Sequence, residues 1–276
     1  MYYSKLDTLI QQYQVIALCT IVKAKGSTPL KEGHKLIVLP DGKILGTIGG
    51  GELERVVIED ALNCIQKREH QLFEHHLTKD HQMCCGGMVS IFIEVLMSPP
   101  VLLIAGAGHI GRCLSDIASN CGFQVMLIDN RKEILSQIKN DKDNIQLIYA
   151  DDIANYIREY NHHVQNGYCV ITTYNHQLDR KILLEAVGKP FKYIGMIGSK
   201  RKVLMTKKFL KENGINEYII EKIDMPIGLN INAESPYEIA VSIMGKLIAV
   251  KNEKKKIKET DSENENIELC RQNVSL

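Results

Sequence analysis

The sequence predicts an α/β protein in two parts: an N-terminal α+β domain, then a doubly wound parallel-sheet domain. Three observations carry this. Residues 101–131 read in order as strand, glycine turn, helix, strand and acid. Beyond them, short apolar runs alternate with helical patterns to about residue 250, as a parallel sheet with helices on both faces requires. Before them, apolar runs are joined by tight turns around a single long helix, a mixed pattern without βα alternation.

Taken in order, residues 1–22 read as an amphipathic helix followed by a strand, Val15–Val22. Lys25-Gly26-Ser27-Thr28-Pro29 is a turn-forming cluster. Lys35–Leu39 and Ile44–Ile48 read as strands joined by Pro40-Asp41-Gly42-Lys43, whose Asp-Gly centre is a hairpin signal. Gly49-Gly50-Gly51 then opens a helix to about Gln66, with Leu53, Val56, Val57, Ala61, Leu62 and Ile65 near helical spacing. Residues 70–82 are polar and histidine-rich, and read as exposed. Met83-Cys84-Cys85-Gly86-Gly87 is a loop, and Val89–Leu96 alternates as a strand. Ser98-Pro99-Pro100 is a stiff linker. The expected domains are therefore 1–98 and 99–251, with 252–276 a charged, frayed or disordered tail.

The second domain opens with the apolar run Val101–Ala105, suited to a buried parallel strand. Gly106-Ala107-Gly108-His109-Ile110-Gly111 follows as a G-x-G-x-x-G loop. In that loop Gly106 permits a tight turn, Gly108 lets the backbone approach a pyrophosphate, and Gly111 lets helix and strand pack closely. The helix N-terminus offers amide N–H groups to an anion. Asp129, ending the next strand, is placed to accept hydrogen bonds from ribose hydroxyls. Together these parts define a Rossmann-like unit. Strands at Ile145–Tyr149, Tyr168–Thr172 and Tyr193–Ile197 continue it, with helices over Lys181–Val187 and from about Lys202 to Glu212. Ser235-Pro236 starts the last helix with a cap and a first-turn proline. Ligands in such sheets bind beyond the carboxyl ends of the strands. This gathers Gly106–Gly111, Asp129, Thr172–Asp179 and Gly198–Lys202 on one rim.

The 276 residues suffice for two domains with real cores, and a net charge of +1 gives no basic field to recruit nucleic acid. No apolar run reaches the roughly 20 residues that span a bilayer, and the first residues lack the form of a signal peptide. The expected location is the cytoplasm. There the eight cysteines are thiols rather than a disulfide framework.

Several groups offer chemistry. Cys84 and Cys85, followed by two glycines, present thiolates able to bind a soft metal or carry sulfur, or one of them packs inward. A zinc set of His75, His76, His81, Cys84 and Cys85 lacks the spacing of strong zinc sites. Gly49, Gly50 and Gly51 form either a second anion nest or a close backbone crossing. Glu52 and Glu54 beside them are acid/base candidates or first-turn acids favoured by the helix dipole. His176 is a proton relay or a helix cap. Ser199 with Lys200, Arg201 and Lys202 suits a phosphate or forms a basic surface turn.

As a set, these blocks resemble the xanthine dehydrogenase accessory proteins, the XdhC/CoxI family. The first half carries Gly26-Ser27-Thr28-Pro29, Gly46-Thr47-Ile48-Gly49-Gly50-Gly51 with Leu53-Glu54, and Cys84-Cys85-Gly86-Gly87. The second carries Gly106–Gly111, Asp129 with Arg131, His176 and Asp179, Ile194–Ser199 with Lys202, and Pro226-Ile227-Gly228. The chain departs from the family pattern at Leu30-Lys31, Glu52, Tyr174-Asn175 and Asn230-Ile231-Asn232. The resemblance implies a maturation factor rather than a metabolic catalyst. Such a factor binds the molybdenum cofactor, supports its sulfuration with a cysteine desulfurase, and delivers it to an apo molybdenum hydroxylase such as xanthine dehydrogenase. It implies Cys85 near the molybdenum with Cys84 in support, and Glu54 beside the glycine run as a catalytic acid or base. It implies cofactor contacts at Gly49, Gly50, Gly51, Gly106, Gly108, His109, Gly111, Asp129, Arg131, His176, Asp179, Ser199 and Lys202. A homodimer is expected, with neither nucleic acid nor membrane as partner. The alternative is an NAD(P)-dependent oxidoreductase that uses the Rossmann unit.

Overall fold

The computed structural model describes residues 3–26, 28, 31–77, 87–161 and 166–253. The chain divides into two compact units, Met1–Pro99 and Pro100–Leu276. Among the described residues no helix is long and apolar enough to cross a membrane.

The first unit is a five-stranded antiparallel sheet with one helix on each face. Its elements are α1 (Tyr3–Tyr13), β1 (Val15–Lys25), β2 (Lys35–Val38), β3 (Ile44–Gly46), α2 (Gly51–Lys67), β4 (Gln71–His76) and β5 (Met88–Met97), in the order β3-β2-β1-β5-β4. The two-residue period of β1 divides its side chains between the faces. Ala17, Cys19 and Ile21 pack with Leu53, Val57 and Ala61 of α2, while Ile16 and Leu18 pack with Leu6 of α1. The Asp41-Gly42 hairpin forms as its residues predict, with Gly42 at φ 81° and Asp41 accepting the Lys43 N–H at 3.1 Å. β3 ends at Gly46, two residues short of the expected Ile48. Gly46 has φ 94°, and the Thr47 hydroxyl and Ile48 amide turn to Glu54 instead of the ladder.

The polar stretch after residue 70, read from the sequence only as exposed, contains strand β4. It pairs antiparallel with β5 from Gln71↔Ile93 to His76↔Met88. As an edge strand it keeps Gln71, Glu74 and His76 exposed while His75 is buried, 3.8 Å from Asp60.

The second unit is a five-stranded, wholly parallel sheet. Its strands are β6 (Val101–Ala105), β7 (Gln124–Asp129), β8 (Ile145–Tyr149), β9 (Tyr168–Ile171) and β10 (Tyr193–Met196), in the order β10-β9-β6-β7-β8. The helices are α3 (His109–Asn120), α4 (Lys132–Ser136), α5 (Ile153–Glu159), α6 (His176–Val187), α7 (Lys200–Glu212), α8 (Glu217–Glu221) and α9 (Pro236–Asn252). One face buries Leu103 and Ala105 against Ile157 of α5 and Ile182 of α6. The other buries Leu102 and Ile104 against Leu114 of α3 and Ile243 of α9. This is the doubly wound arrangement. α6 starts five residues before the expected Lys181 because Asn175 caps it, accepting the Gln177 and Leu178 N–H groups. α9 carries a full capping box, with Ser235 and Glu238 bonding each other's backbone.

Candidate functional site

The strand order reverses at β6: the chain moves outward through β7 and β8, then returns to place β9 on β6's other side. The crevice at such a reversal is the ligand position of open α/β sheets. The glycine loop after β6 lies there, between the loops after β7 and β9.

The three motif glycines have different reasons to be glycine. At Gly111 an added Cβ would stand 1.9 Å from the Gly106 carbonyl oxygen. At Gly106, with φ 114°, it would meet the Thr172 carbonyl oxygen at 2.6 Å. Packing requires both. Around Gly108 nothing among the described residues lies within 4 Å of the added Cβ, and φ is −68°, open to any residue. No contact among the described residues explains this glycine, which leaves the space open to a ligand. Gly108 is also the N-cap of α3 and offers no side-chain bond to the helix's first amides. The loop is braced from both sides. Thr172 Oγ1 donates to Gly106 O at 3.2 Å, and Arg112 Nε donates to Ala107 O at 2.9 Å. Arg112 is a part of the site that sequence reasoning missed, since it falls one residue past the motif.

Asp129 ends β7 almost fully buried. Its Oδ2 accepts the Ala107 N–H at 2.7 Å, and its two oxygens accept Arg131 Nε and Nη2, each at 2.8 Å. The Arg131 backbone N–H adds a bond at 3.0 Å. Burial pushes this carboxyl up, but the Arg131 and Ala107 hydrogen bonds and the guanidinium charge outweigh it. They hold the group below its ordinary 3.8. Asp129 thus locks the glycine loop to the end of β7. The Arg131 guanidinium lies 4.3 Å from the centre of the Tyr174 ring.

A buried ion pair joins the first turns of α6 and α7, the helices that follow β9 and β10. Asp179, with 0% exposure, takes Lys202 Nζ at 2.5 Å and the Thr173 hydroxyl at 2.6 Å. Ser199 caps α7, accepting the Lys202 N–H at 3.3 Å. His109 and His176, at the first positions of α3 and α6, are exposed. Asn175 rather than His176 is the cap of α6.

In the first unit Gly49, Gly50 and Gly51 all have positive φ, at 128°, 71° and 65°. The nest they help form already holds a carboxylate. Glu54 Oε2 accepts the Thr47 hydroxyl at 2.7 Å and the Ile48 and Gly50 N–H groups at 3.2 Å. Glu52 pairs with Arg55. Cys84, Cys85 and His81 lie outside the described residues. Among the described residues no group of three or more His, Cys, Asp or Glu is placed to hold a metal. Burial pushes the Cys19 and Cys169 thiols up to about 12, so both are packing groups rather than nucleophiles.

The rim therefore supplies backbone amides at an uncluttered glycine, a fixed guanidinium and an exposed aromatic ring. Its two buried carboxylates are each closed by a cation, an arrangement suited to holding a ligand.

Comparison with known proteins agrees with this architecture. The XdhC Rossmann domain matches residues 102–247, and the XdhC and CoxI family matches residues 9–76. The chain is 33% identical to the YqeB protein of Escherichia coli K12 over 254 residues, 91% of this chain and 46% of that protein. It is 27% identical to a probable xanthine dehydrogenase subunit of Bacillus subtilis 168 over 160 residues, 58% of this chain and 45% of that one. The chain thus spans about half the length of the curated relatives it matches. A solved xanthine dehydrogenase structure from Bacillus halodurans shares the fold, with a TM-score of 0.51 at 21% identity over 93% of this chain and 97% of that one. With both halves matched in order, the chain belongs to the XdhC and CoxI family.

Proposed function

We propose that this chain is an accessory protein of a xanthine dehydrogenase-type molybdenum hydroxylase, binding the molybdenum cofactor and delivering it to the apoenzyme. The observation that carries the reading is Gly108: a glycine at the strand-order reversal that no contact among the described residues requires, at the start of α3, where no side chain caps the helix. That cradle fits the phosphate of a molybdopterin, since backbone N–H groups and the helix dipole favour an anion there. The neighbouring rim groups favour holding over catalysis, because Asp129 and Asp179 are each paired with a cation. From the sequence, Cys84 and Cys85 are proposed as thiols that serve sulfuration while a cysteine desulfurase supplies sulfur. When bound, the cofactor supplies the redox chemistry of the enzyme that receives it. This chain's part is to bind the phosphate, orient the ring system and protect the metal end.

An NAD(P)-dependent oxidoreductase has less support. The ribose-facing role of Asp129 would require acceptor capacity that Ala107 and Arg131 already use.

The test is activation of a purified apo-hydroxylase by cofactor-loaded protein. Wild type activates it, whereas Gly108→Ala and Cys85→Ala, loaded under the same conditions, transfer little cofactor. Full activation by both variants would overturn the assignment.

A further inference from the structure

We propose that Tyr174 and Arg131 form a stacking shelf for the flat nitrogen heterocycle of a phosphorylated ligand whose phosphate sits at Gly108. This deepens the reading of the Gly108 cradle and rests on it.

The argument begins with the strand order. β7 and β9 flank β6, so the loops following them lie on either side of the glycine loop. Arg131 leaves the end of β7, and Tyr174 belongs to the loop after β9. Their side chains nevertheless meet, the guanidinium 4.3 Å from the ring centre. They therefore bridge the end of β6, where the glycine turn lies. Thr173, the residue before Tyr174, has its Cα 2.9 Å from where a Gly106 Cβ would be, which places this loop directly against the turn.

Both members of the pair are held in place before any ligand arrives. Arg131 is fixed by its side-chain and backbone bonds to buried Asp129. Tyr174 lies between Thr173, bonded to Asp179, and Asn175, the cap of α6. A pre-positioned shelf avoids most of the ordering cost of binding. Yet Tyr174 is 60% exposed. The guanidinium covers part of it and the remainder faces solvent, the form of a surface ready for a second flat partner. Aromatic stacking with a heterocycle adds affinity without demanding one particular base. The same strand end carries an acceptor in need of a donor. Asn130 Oδ1 is buried and has no hydrogen-bond partner among the described residues.

The ligand class is thus a phosphate ester of a planar heterocycle. A pterin phosphate and a nicotinamide or adenine dinucleotide share that chemistry.

The chain contains no tryptophan, so Tyr174→Trp places a single fluorescent reporter on the shelf. Four probes separate the parts: inorganic pyrophosphate, NAD+, NADP+ and 6-hydroxymethylpterin phosphate. The expected result is that at least one ring-bearing probe quenches the reporter and pyrophosphate does not. The probe that does so identifies the source. Tyr174→Ala should weaken that probe by roughly 5- to 150-fold and Tyr174→Phe should retain it, with pyrophosphate affinity equal in all three proteins. Ring-bearing probes that bind Tyr174→Ala as they bind wild type, or no better than pyrophosphate, would overturn the shelf. If pyrophosphate binds wild type and is weakened by Gly108→Ala while Tyr174 variants change nothing, the shelf alone falls. If pyrophosphate does not bind wild type, the Gly108 cradle falls with it.

Discussion

Two glycines three residues apart should respond to alanine in opposite ways. At Gly111 the new methyl would sit 1.9 Å from the Gly106 carbonyl oxygen, where ordinary contact begins at 3.4 Å. The obstacle is backbone, so α3 and the loop must move apart. Overpacking of this kind costs about 3 kcal/mol, the upper part of its usual range, and alanine's better helix propensity returns about 1 kcal/mol. The net loss of about 2 kcal/mol lowers Tm by about 4–8 °C for a chain of this size. At Gly108 the methyl enters open space at a φ that alanine adopts freely. A weaker N-cap and a less flexible unfolded chain roughly cancel, each worth about 0.5–1 kcal/mol. Tm should stay within a degree or two. The ligand is another matter. A methyl in the cradle displaces at least one charge-assisted amide–phosphate bond of about 1.5–3 kcal/mol, weakening pyrophosphate by roughly 10- to 150-fold. Thermal unfolding and calorimetric titration of both variants read these two effects separately. Unchanged pyrophosphate affinity in Gly108→Ala, or an unchanged Tm in Gly111→Ala, would refute the division of labour within the loop.

Three further outcomes follow from the hydrogen-bonded carboxylates Asp179, Asp129 and Glu54. Asp179→Ala leaves the Lys202 ammonium buried without its partner and should cost about 3–5 kcal/mol in denaturant unfolding, whereas Asp179→Leu with Lys202→Met should recover most of it. A double variant as damaged as the single one would sink the ion-pair account. Because the folded state holds Asp129 below its ordinary value of 3.8, its contribution is complete above that pH and is lost as pH falls through the lower folded value. The urea midpoint of wild type should therefore drop from about pH 5 to about pH 2, and Asp129→Asn should flatten that drop; parallel curves would contradict it. Glu54→Ala empties the nest at Thr47, Ile48 and Gly50 and should destabilise the first unit by about 2 kcal/mol, with inorganic phosphate restoring part of the loss. No loss of stability would show that the carboxylate does not hold the loop.

What could be read from the sequence was local. The Asp41-Gly42 hairpin, the Ser235 cap with Pro236 behind it and the glycine loop each depend on neighbours a few residues apart, and each formed as read. β4 was hidden because an edge strand exposes one side and buries little, so its polar residues carried no alternating signal. α4 and α8, at five residues each, are too short to display a period. At the site, position was legible and engagement was not. Asp129 was placed correctly at a strand end, but the composition of 101–131 does not reveal that Ala107 and Arg131 saturate its oxygens. The Asp179–Lys202 pair spans 23 residues and exists because β9 and β10 are neighbours. Glu54 was recognised beside the glycines, yet its turn back toward Ile48 and Gly50 depends on their positive-φ path.

The central claim, that this chain holds the molybdenum cofactor, is tested most directly by what the protein carries. Molybdenum content and released pterin fluorescence should be measured on protein purified from a cofactor-producing host, wild type beside Gly108→Ala and Cys84→Ala/Cys85→Ala. Near-stoichiometric molybdenum and pterin in wild type, sharply reduced in both variants, is the predicted result. Neither molybdenum nor pterin in wild type, with NAD(P) bound in their place, would contradict the account.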